Sequence, residues 1–270
     1  MREQAVVSVP LSGSSPALLL SQFLQLPTEK QDKVLGFFDF KSAEAGEGDG
    51  ELMAKLIRIV EFNSIQLYEE GETPSKNLYL NASLLNHSCK PNLVWYPEQG
   101  HIVVRVLAQV SKGSELTVCY FPTPIAGYTR GFGCPTLAQR RLLLQAFHFL
   151  CHCSLCLARD PEEDVRRAEF QQLDRQQESD GHLGNQLENA RRKLELVEEI
   201  GGPDIFLSLV DCWKLSEFVS DQSAGADVQL KNLSRLYRER VENIADILGP
   251  AAREAVSRFK AVTLHAMEDA

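Results

Sequence analysis

Four cysteines constrain this chain more than any other feature. Cys89 stands alone in the polar stretch Asn86-His87-Ser88-Cys89-Lys90-Pro91-Asn92. Cys151, Cys153 and Cys156 crowd the segment Phe149-Leu150-Cys151-His152-Cys153-Ser154-Leu155-Cys156. Four thiolates suit a tetrahedral zinc site. A C-x-C-x-x-C run can set three sulfurs on one ion, at roughly 2.3 Å each, only if the backbone turns tightly, and it leaves one corner open. Cys89 is the natural fourth ligand because it sits in a polar turn before Lys90-Pro91. His152 is a rival, but both of its chain neighbours are already ligands, which strains the geometry. The alternative is a set of free or buried thiols. A zinc shared by the two segments would pin distant parts of the chain together, and such a junction can form a pocket.

Composition adds limits rather than direction. The 270 residues are 44% hydrophobic and 24% charged, enough for one large domain or two modest ones whose core needs no crosslinks. The net charge of -9 argues against direct nucleic-acid binding and is compatible with attracting a basic peptide. There are 7 cysteines, an odd number. Leu18-Leu19-Leu20 is too short for a signal-peptide core and lacks a close basic flank. No run approaches the roughly 18 apolar residues of a membrane span. The expectation is an intracellular protein of the nucleus or cytoplasm with no membrane partner. In a reducing compartment, clustered cysteines read as metal ligands more readily than as disulfides.

The pattern along the chain predicts an α+β protein. Ala5-Val6-Val7-Ser8-Val9 reads as a strand stopped by Pro10. Residues 16–62 read as a helical insertion in at least two pieces, with Leu18, Leu19, Phe23 and Leu24 at helical spacing. The Gly-rich acidic stretch 43–51 reads as an exposed flexible loop, and Leu52–Ile59 as helix again. Short strands are predicted at 64–68, 101–106 and 116–120, with Lys112-Gly113 as a turn. Residues 122–135 read as a loop, 136–149 as a helix running to the cysteines, and 161–270 as a helical tail. Breaks in the tail are expected near 181–184, 201–203, 223–225 and 249–250. No 34-residue repeat is evident in it. Cys119 and Cys212 read as small core residues, and Cys134 as a thiol without a role. The basic groups Arg166-Arg167, Arg191-Arg192-Lys193 and Arg238-Glu239-Arg240 are mixed with acids and read as solvated helix faces.

At these residues the chain resembles the SET-domain protein-lysine methyltransferases, in the SET-and-MYND-like branch. Asn63-Ser64, Ser83-Leu84-Leu85-Asn86-His87-Ser88-Cys89-Lys90-Pro91-Asn92, Lys112-Gly113-Ser114-Glu115-Leu116-Thr117-Val118-Cys119-Tyr120 and the Arg140–Cys156 segment carry the likeness, in order, over roughly residues 50–170. Ser114 stands where the family usually has Glu. The resemblance implies a fold of several short, curved sheets with a pseudoknot, in which the segment around Asn86 threads beneath the chain near Tyr120. It divides the chain into a SET domain over 1–130, a zinc-binding post-SET segment over 131–160 and a helical region over 161–270.

The resemblance also implies S-adenosyl-L-methionine as cofactor, held at Asn63, Ser83, Leu85, Asn86, His87, Tyr120 and Phe149. In it Tyr120 matches the catalytic tyrosine. Cys89, Cys151, Cys153 and Cys156 match the ligands of a structural Zn2+. The substrate would be a protein or peptide lysine, with histones among the candidates. The chain departs from the family at its start: the Gly-containing first SET hairpin is expected to be absent, leaving a strand edge unpaired, and there are no MYND-finger cysteines. That departure supports an alternative, a catalytically inactive, zinc-stabilised protein-binding module. A zinc hydrolase is disfavoured by the all-sulfur ligand set and by the lack of an H-E-x-x-H motif.

Overall fold

A computed structural model describes residues 1–11, 15–39, 50–67, 73–107, 109–121, 135–179, 183–200, 205–222, 228–250, 252–254, 256 and 257. Residues 43–49 of the acidic loop expected over 43–51, Tyr68, most of the 122–135 loop and Cys134 lie outside these residues; Glu51 already starts a helix. The chain forms two compact units, Met1–Asn86 with Trp95–Arg105, and His87–Val94 with Val106–Ala270.

The first unit opens with two strands rather than the single one expected. β1 (Arg2–Gln4) pairs antiparallel with β7 (His101–Val106), Glu3 facing Ile102. β2 (Val7–Pro10) pairs instead with β4 (Ser75–Leu78), Val7 facing Leu78 and Pro10 facing Ser75. The strand breaks near Ala5 because the chain changes partners there. β3 (Ile65–Leu67) completes the second sheet, in the order β2-β4-β3. β6 (Leu93–Glu98) and β7 are joined by Gln99-Gly100, both at positive φ, the geometry a two-residue hairpin turn demands. Along β2, Val7 and Val9 are buried and Ser8 is exposed, the period-2 pattern of a half-covered strand. The edge expected to be unpaired is bonded at Ser8: Gln22 accepts from Ser8 N–H and donates to Ser8 C=O, both at 2.8 Å. A side-chain amide takes the place of a strand partner there.

Three helices cover that sheet. α1 (Pro16–Leu24) starts on Ser15, whose hydroxyl accepts from Ala17 N–H, with Pro16 in the first turn where its missing N–H costs nothing. α2 (Thr28–Leu35) and α3 (Glu51–Asn63) follow. Leu19, Phe23, Val34, Leu56, Ile59 and Val60 pack on Val7, Val9 and Leu78.

The second unit carries the His87 end of β5 (Asn86–His87), β8 (Thr117–Val118), α4 (Leu137–Leu144) and α5 (Ser154–Ala158). A tail of α6 (Pro161–Ser179), α7 (Leu183–Ile200), α8 (Ile205–Gln222) and α9 (Val228–Leu248) completes it. The tail helices fall where periodicity puts them; the breaks expected at 201–203 and 223–225 lie outside the described residues, and of the one expected at 181–184, Leu183 and Gly184 are already helical. Each tail helix packs on the next. Ala190, Leu194, Leu209, Trp213, Tyr237 and Val241 form their core, which also takes in Val94. Cys212 is fully buried in it, as expected.

Two of the basic groups differ from expectation. Arg167 is buried and bonded to Glu163 at 2.7 Å. Lys193 is 2% exposed, with Nζ 2.6 Å from Asp174, 3.4 Å from Asp211 and 5.5 Å from the Phe170 ring centre. Arg167 meets an acid one turn earlier on its own helix, and the long apolar stem of Lys193 carries its ammonium to acids on two other helices instead of water.

Candidate active site and metal centre

The site grows from β8. Asn92 brackets its approach: Thr117 N–H donates to Asn92 Oδ1 at 2.9 Å, and Asn92 Nδ2 donates to Glu115 C=O at 2.8 Å. Ser88 N–H then donates to Val118 C=O at 2.9 Å, tying the chain beyond His87 to β8. The strand expected over 116–120 stops at Val118 for a specific reason. The next donor on that side, Tyr120 N–H, leaves the ladder and bonds to Nδ1 of His87 at 3.0 Å. Cys119 therefore lies just past the strand, half-buried.

His87 is a hub. A backbone amide can only donate, so Nδ1 accepts and the ring proton sits on Nε2. Nε2 is 3.2 Å from Cys89 Sγ. The ring centre lies 5.2 Å from Tyr120, 4.9 Å from Phe121 and 6.0 Å from Phe149. Burial holds this imidazole down to about 4, so it is neutral at physiological pH.

The helix expected over 136–149 is shorter. Thr136 opens α4 with a reciprocal capping box to Gln139. The helix ends at Leu144, a 3-10 turn runs over Gln145–Phe147, and His148 adopts φ 56°. That left-handed residue reverses the chain and sets Phe147 and Phe149 about Tyr120, at centroid separations of 5.2 and 6.3 Å. Phe147 and Phe121 belong to no motif in the sequence, and Asn92 closes the Asn86–Asn92 motif without an assigned role. Their aromatic or turn-forming character is legible, but their convergence on Tyr120 and β8 is not. Arg140, 3% exposed, anchors α4 by donating to Pro135 C=O at 2.7 Å beside Asp164.

Beyond the reversal the thiols gather. The Sγ atoms of Cys89, Cys151, Cys153 and Cys156 all lie within 4.8 Å of one another, and Cys89 and Cys156 are 3.6 Å apart. Sulfurs at the corners of a zinc tetrahedron sit about 3.8 Å apart, given Zn–S bonds of about 2.3 Å. The four thiols are compatible with zinc, and the exposed His152 is not among them. The electrostatics agree. Burial, and then the charges of Cys156, Cys151 and Cys153, push the Cys89 thiol up. Burial also raises Cys151. Burial raises Cys153 too, but backbone groups of Cys156 and Cys89 and the neighbouring thiols outweigh it, bringing that thiol down to about 6. Crowded thiolates repel; a divalent cation turns that repulsion into attraction.

The remaining expected cofactor residues belong to the first unit. Asn63 is the last residue of α3, and its Nδ2 donates to Phe38 C=O at 2.7 Å and Ile59 C=O at 2.8 Å. Ser83 and Leu85 lie in and just after a 3-10 helix over Ala82–Leu84, and the Ser83 hydroxyl accepts from Tyr79 N–H at 3.0 Å. Glu3 holds the start of that helix, accepting from Asn81 N–H and Ala82 N–H, each at 3.0 Å. Asn86 is exposed.

The SET domain family model matches residues 22–121. The chain is similar to "Histone-lysine N-methyltransferase ASHR1" of Arabidopsis thaliana, 32% identical over 123 residues, covering 38% of this chain and 24% of that protein. It is similar to "Histone-lysine N-methyltransferase SMYD3" of Homo sapiens, 31% identical over 102 residues, covering 38% of this chain and 22% of that protein. "Histone-lysine N-methyltransferase set5" of Schizosaccharomyces pombe is 26% identical over 104 residues, covering 36% of this chain and 30% of that protein. The chain thus spans less than a third of the length of each of these relatives. The segment that matches the SET domain supplies both His87 and Tyr120.

Proposed function

We propose that the chain carries an S-adenosyl-L-methionine-dependent protein-lysine methyltransferase activity, with a structural Zn2+ on Cys89, Cys151, Cys153 and Cys156. The observation that carries the reading is Tyr120. Its ring is enclosed by His87, Phe147 and Phe149 in the segment that matches the SET domain.

Cofactor and metal fit the residues present. The Phe149 ring is 37% exposed and stands edge-on to Tyr120, an aromatic face on which a purine can stack. Asn63, Ser83, Leu85, Asn86 and His87 are the further residues proposed to hold the cofactor. The two nitrogens of His87 are already engaged, so its contact would come through the backbone or the ring face. When bound, the cofactor supplies an electrophilic methyl group on a positively charged sulfur.

The chain's own residues supply the setting. A protonated amine cannot attack, so the site must favour neutral lysine. Apolar rings at Phe121, Phe147 and Phe149 line the surroundings of Tyr120, and the desolvation they would impose on a covered lysine lowers its pKa. Burial, and then the charge of Glu115, raise the Tyr120 phenol, which keeps its hydroxyl protonated at neutral pH. That hydroxyl can orient the amine for in-line attack, a positioning contribution. A sulfur-only zinc site leaves no corner for water, so the metal would shape the fold and take no part in the chemistry.

Three relatives bear names that specify histone lysine, and a basic histone-type peptide suits a chain of net charge -9. We assign the SET segment to 1–130, the zinc-binding segment to 131–160 and the helical region to 161–270. Among the described residues no helix is long and apolar enough to cross a membrane, which suits a nuclear or cytoplasmic setting. The test is methyl transfer from labelled cofactor to a pool of histone and non-histone peptides. Transfer that disappears in Tyr120→Phe supports the enzyme. Zinc-replete protein that binds no cofactor and transfers no methyl group to any peptide overturns it.

A second reading, a zinc-stabilised binding module without catalysis, has one observation in its favour. The Asn63 amide nitrogen is already bonded twice to backbone carbonyls, a stabilising role that needs no cofactor. Robust transfer sensitive to Tyr120→Phe excludes it.

A further inference from the structure

We propose that His87 is a positioning residue that ties the metal centre to Tyr120, its Nδ1 holding the Tyr120 amide and its Nε2–H holding the Cys89 sulfur. The inference rests on the zinc reading above and assigns His87 a part separate from cofactor contact.

Geometry carries it. The two bonds leave opposite sides of one small, flat ring, 3.0 Å to the Tyr120 nitrogen and 3.2 Å to Cys89 Sγ. Because the amide must donate, the ring can donate only through Nε2, toward the sulfur. The two partners therefore select one tautomer together. Rotating the ring to improve one bond breaks the other, and Phe121, Phe149 and Tyr120 pack about it and hinder rotation. A hydrogen bond to a ligating thiolate disperses sulfur charge and fixes the direction from which the sulfur meets its ion. Tyr120 N–H has left the β8 ladder for this bond, so the tyrosine's backbone is set by the imidazole rather than by the sheet. Zinc, Cys89, His87 and Tyr120 thus form one mechanical series, and the order of the metal centre is transmitted to the reacting end of the site.

Three proteins, each prepared with zinc, decide the matter. They are the unmodified chain; His87→Phe, which keeps the ring but neither bond; and His87→Asn, whose Oδ1 can stand in for Nδ1 but reaches nothing at Cys89. Chelator competition reads zinc affinity. Hydrogen exchange reads the Tyr120 amide against amides of α7, which report on the fold. Zinc affinity is expected to fall about 10–100-fold in both variants. Tyr120 exchange is expected to quicken about fivefold or more in His87→Phe and to stay slow in His87→Asn.

Unchanged zinc affinity in both variants, or unchanged Tyr120 exchange in His87→Phe, overturns the link. Should His87→Phe fail to fold, Tyr120 exchange in the unmodified chain with and without zinc replaces it, where constancy overturns and acceleration supports. Methyl transfer is not read, so an inactive chain that shows these shifts removes the enzymatic reading and leaves the link standing. An unmodified chain that takes up no zinc overturns both the zinc reading and the link.

Discussion

Tyr120 and His87 are joined through an unusual choice of partner: the tyrosine's backbone amide donates to the histidine's Nδ1 at 3.0 Å instead of continuing the strand. The choice places an aromatic side chain at the end of β8, where the strand no longer dictates alternation. Phe147 and Phe149, on either side of the left-handed His148, then close around the ring. A residue that would otherwise be one more strand aromatic becomes the centre of the candidate site.

Removing one thiol should release the metal. Cys153→Ser replaces a ligand whose thiol is already the most acidic of the clustered thiols that shift, with an alcohol that binds zinc poorly. Zinc content measured by elemental analysis is expected to fall from about one per chain to below about a tenth. A full equivalent retained in the variant would show that the ion is held elsewhere.

Tyr120→Phe keeps the ring that packs on His87, Phe147 and Phe149 and deletes only the hydroxyl. Turnover in labelled methyl transfer should drop about 10²–10³-fold, the usual loss when one oriented polar group at a reacting centre is removed. Cofactor affinity by calorimetry should hold, because the aromatic face remains. A drop in affinity with turnover unchanged would move Tyr120 from positioning to binding.

The helical tail is most sensitive at Lys193. Lys193→Met removes the cation shared by the partly exposed Asp174 and the buried Asp211. Denaturant unfolding should show a loss of about 3–5 kcal/mol. Replacing both acids by asparagine in the same variant should recover most of it, because the cost is the carboxylate charge that Lys193 no longer offsets. A loss under about 1 kcal/mol would mean that water compensates the acids, as it does at exposed ion pairs.

Glu3 controls the start of the 3-10 helix that leads to Ser83 and Asn86. Its carboxylate accepts from the amides of Asn81 and Ala82 and from Asn81 Nδ2. Glu3→Ala should speed hydrogen exchange at the Asn81 and Ala82 amides about fivefold or more, as a lost charge-assisted bond predicts. If Ser83, Leu85 and Asn86 hold the cofactor, its affinity should weaken by a similar factor. Faster exchange with unchanged affinity would separate this helix from the cofactor.

Much of the architecture was readable beforehand, and the reasons are local. The tail helices follow from apolar spacing and from Gly/Pro breaks, and β7 from the run of β-branched residues at Ile102, Val103 and Val104. Arg167 and Lys193 are buried where solvated faces are expected, because a charged residue looks the same in sequence whether its side chain packs under a neighbouring helix or lies in water. The end of β8 at Val118 and the end of α4 at Leu144 also escaped the pattern. Both are set by contacts with residues far away along the chain.

By itself, the sequence determined the chemistry on offer: four thiols spaced for one ion, a His and a Tyr in recognisable surroundings, and an α+β layout. Those follow from residue types and short-range spacing, which a linear string records. Only the tertiary structure decided that His87 faces Cys89 and the Tyr120 amide at once, that His148 turns Phe147 and Phe149 onto the same ring, and that Gln22 closes the edge of β2. Each of these depends on where a side chain's polar atoms point after distant segments have packed, and spacing along the chain carries no record of that direction.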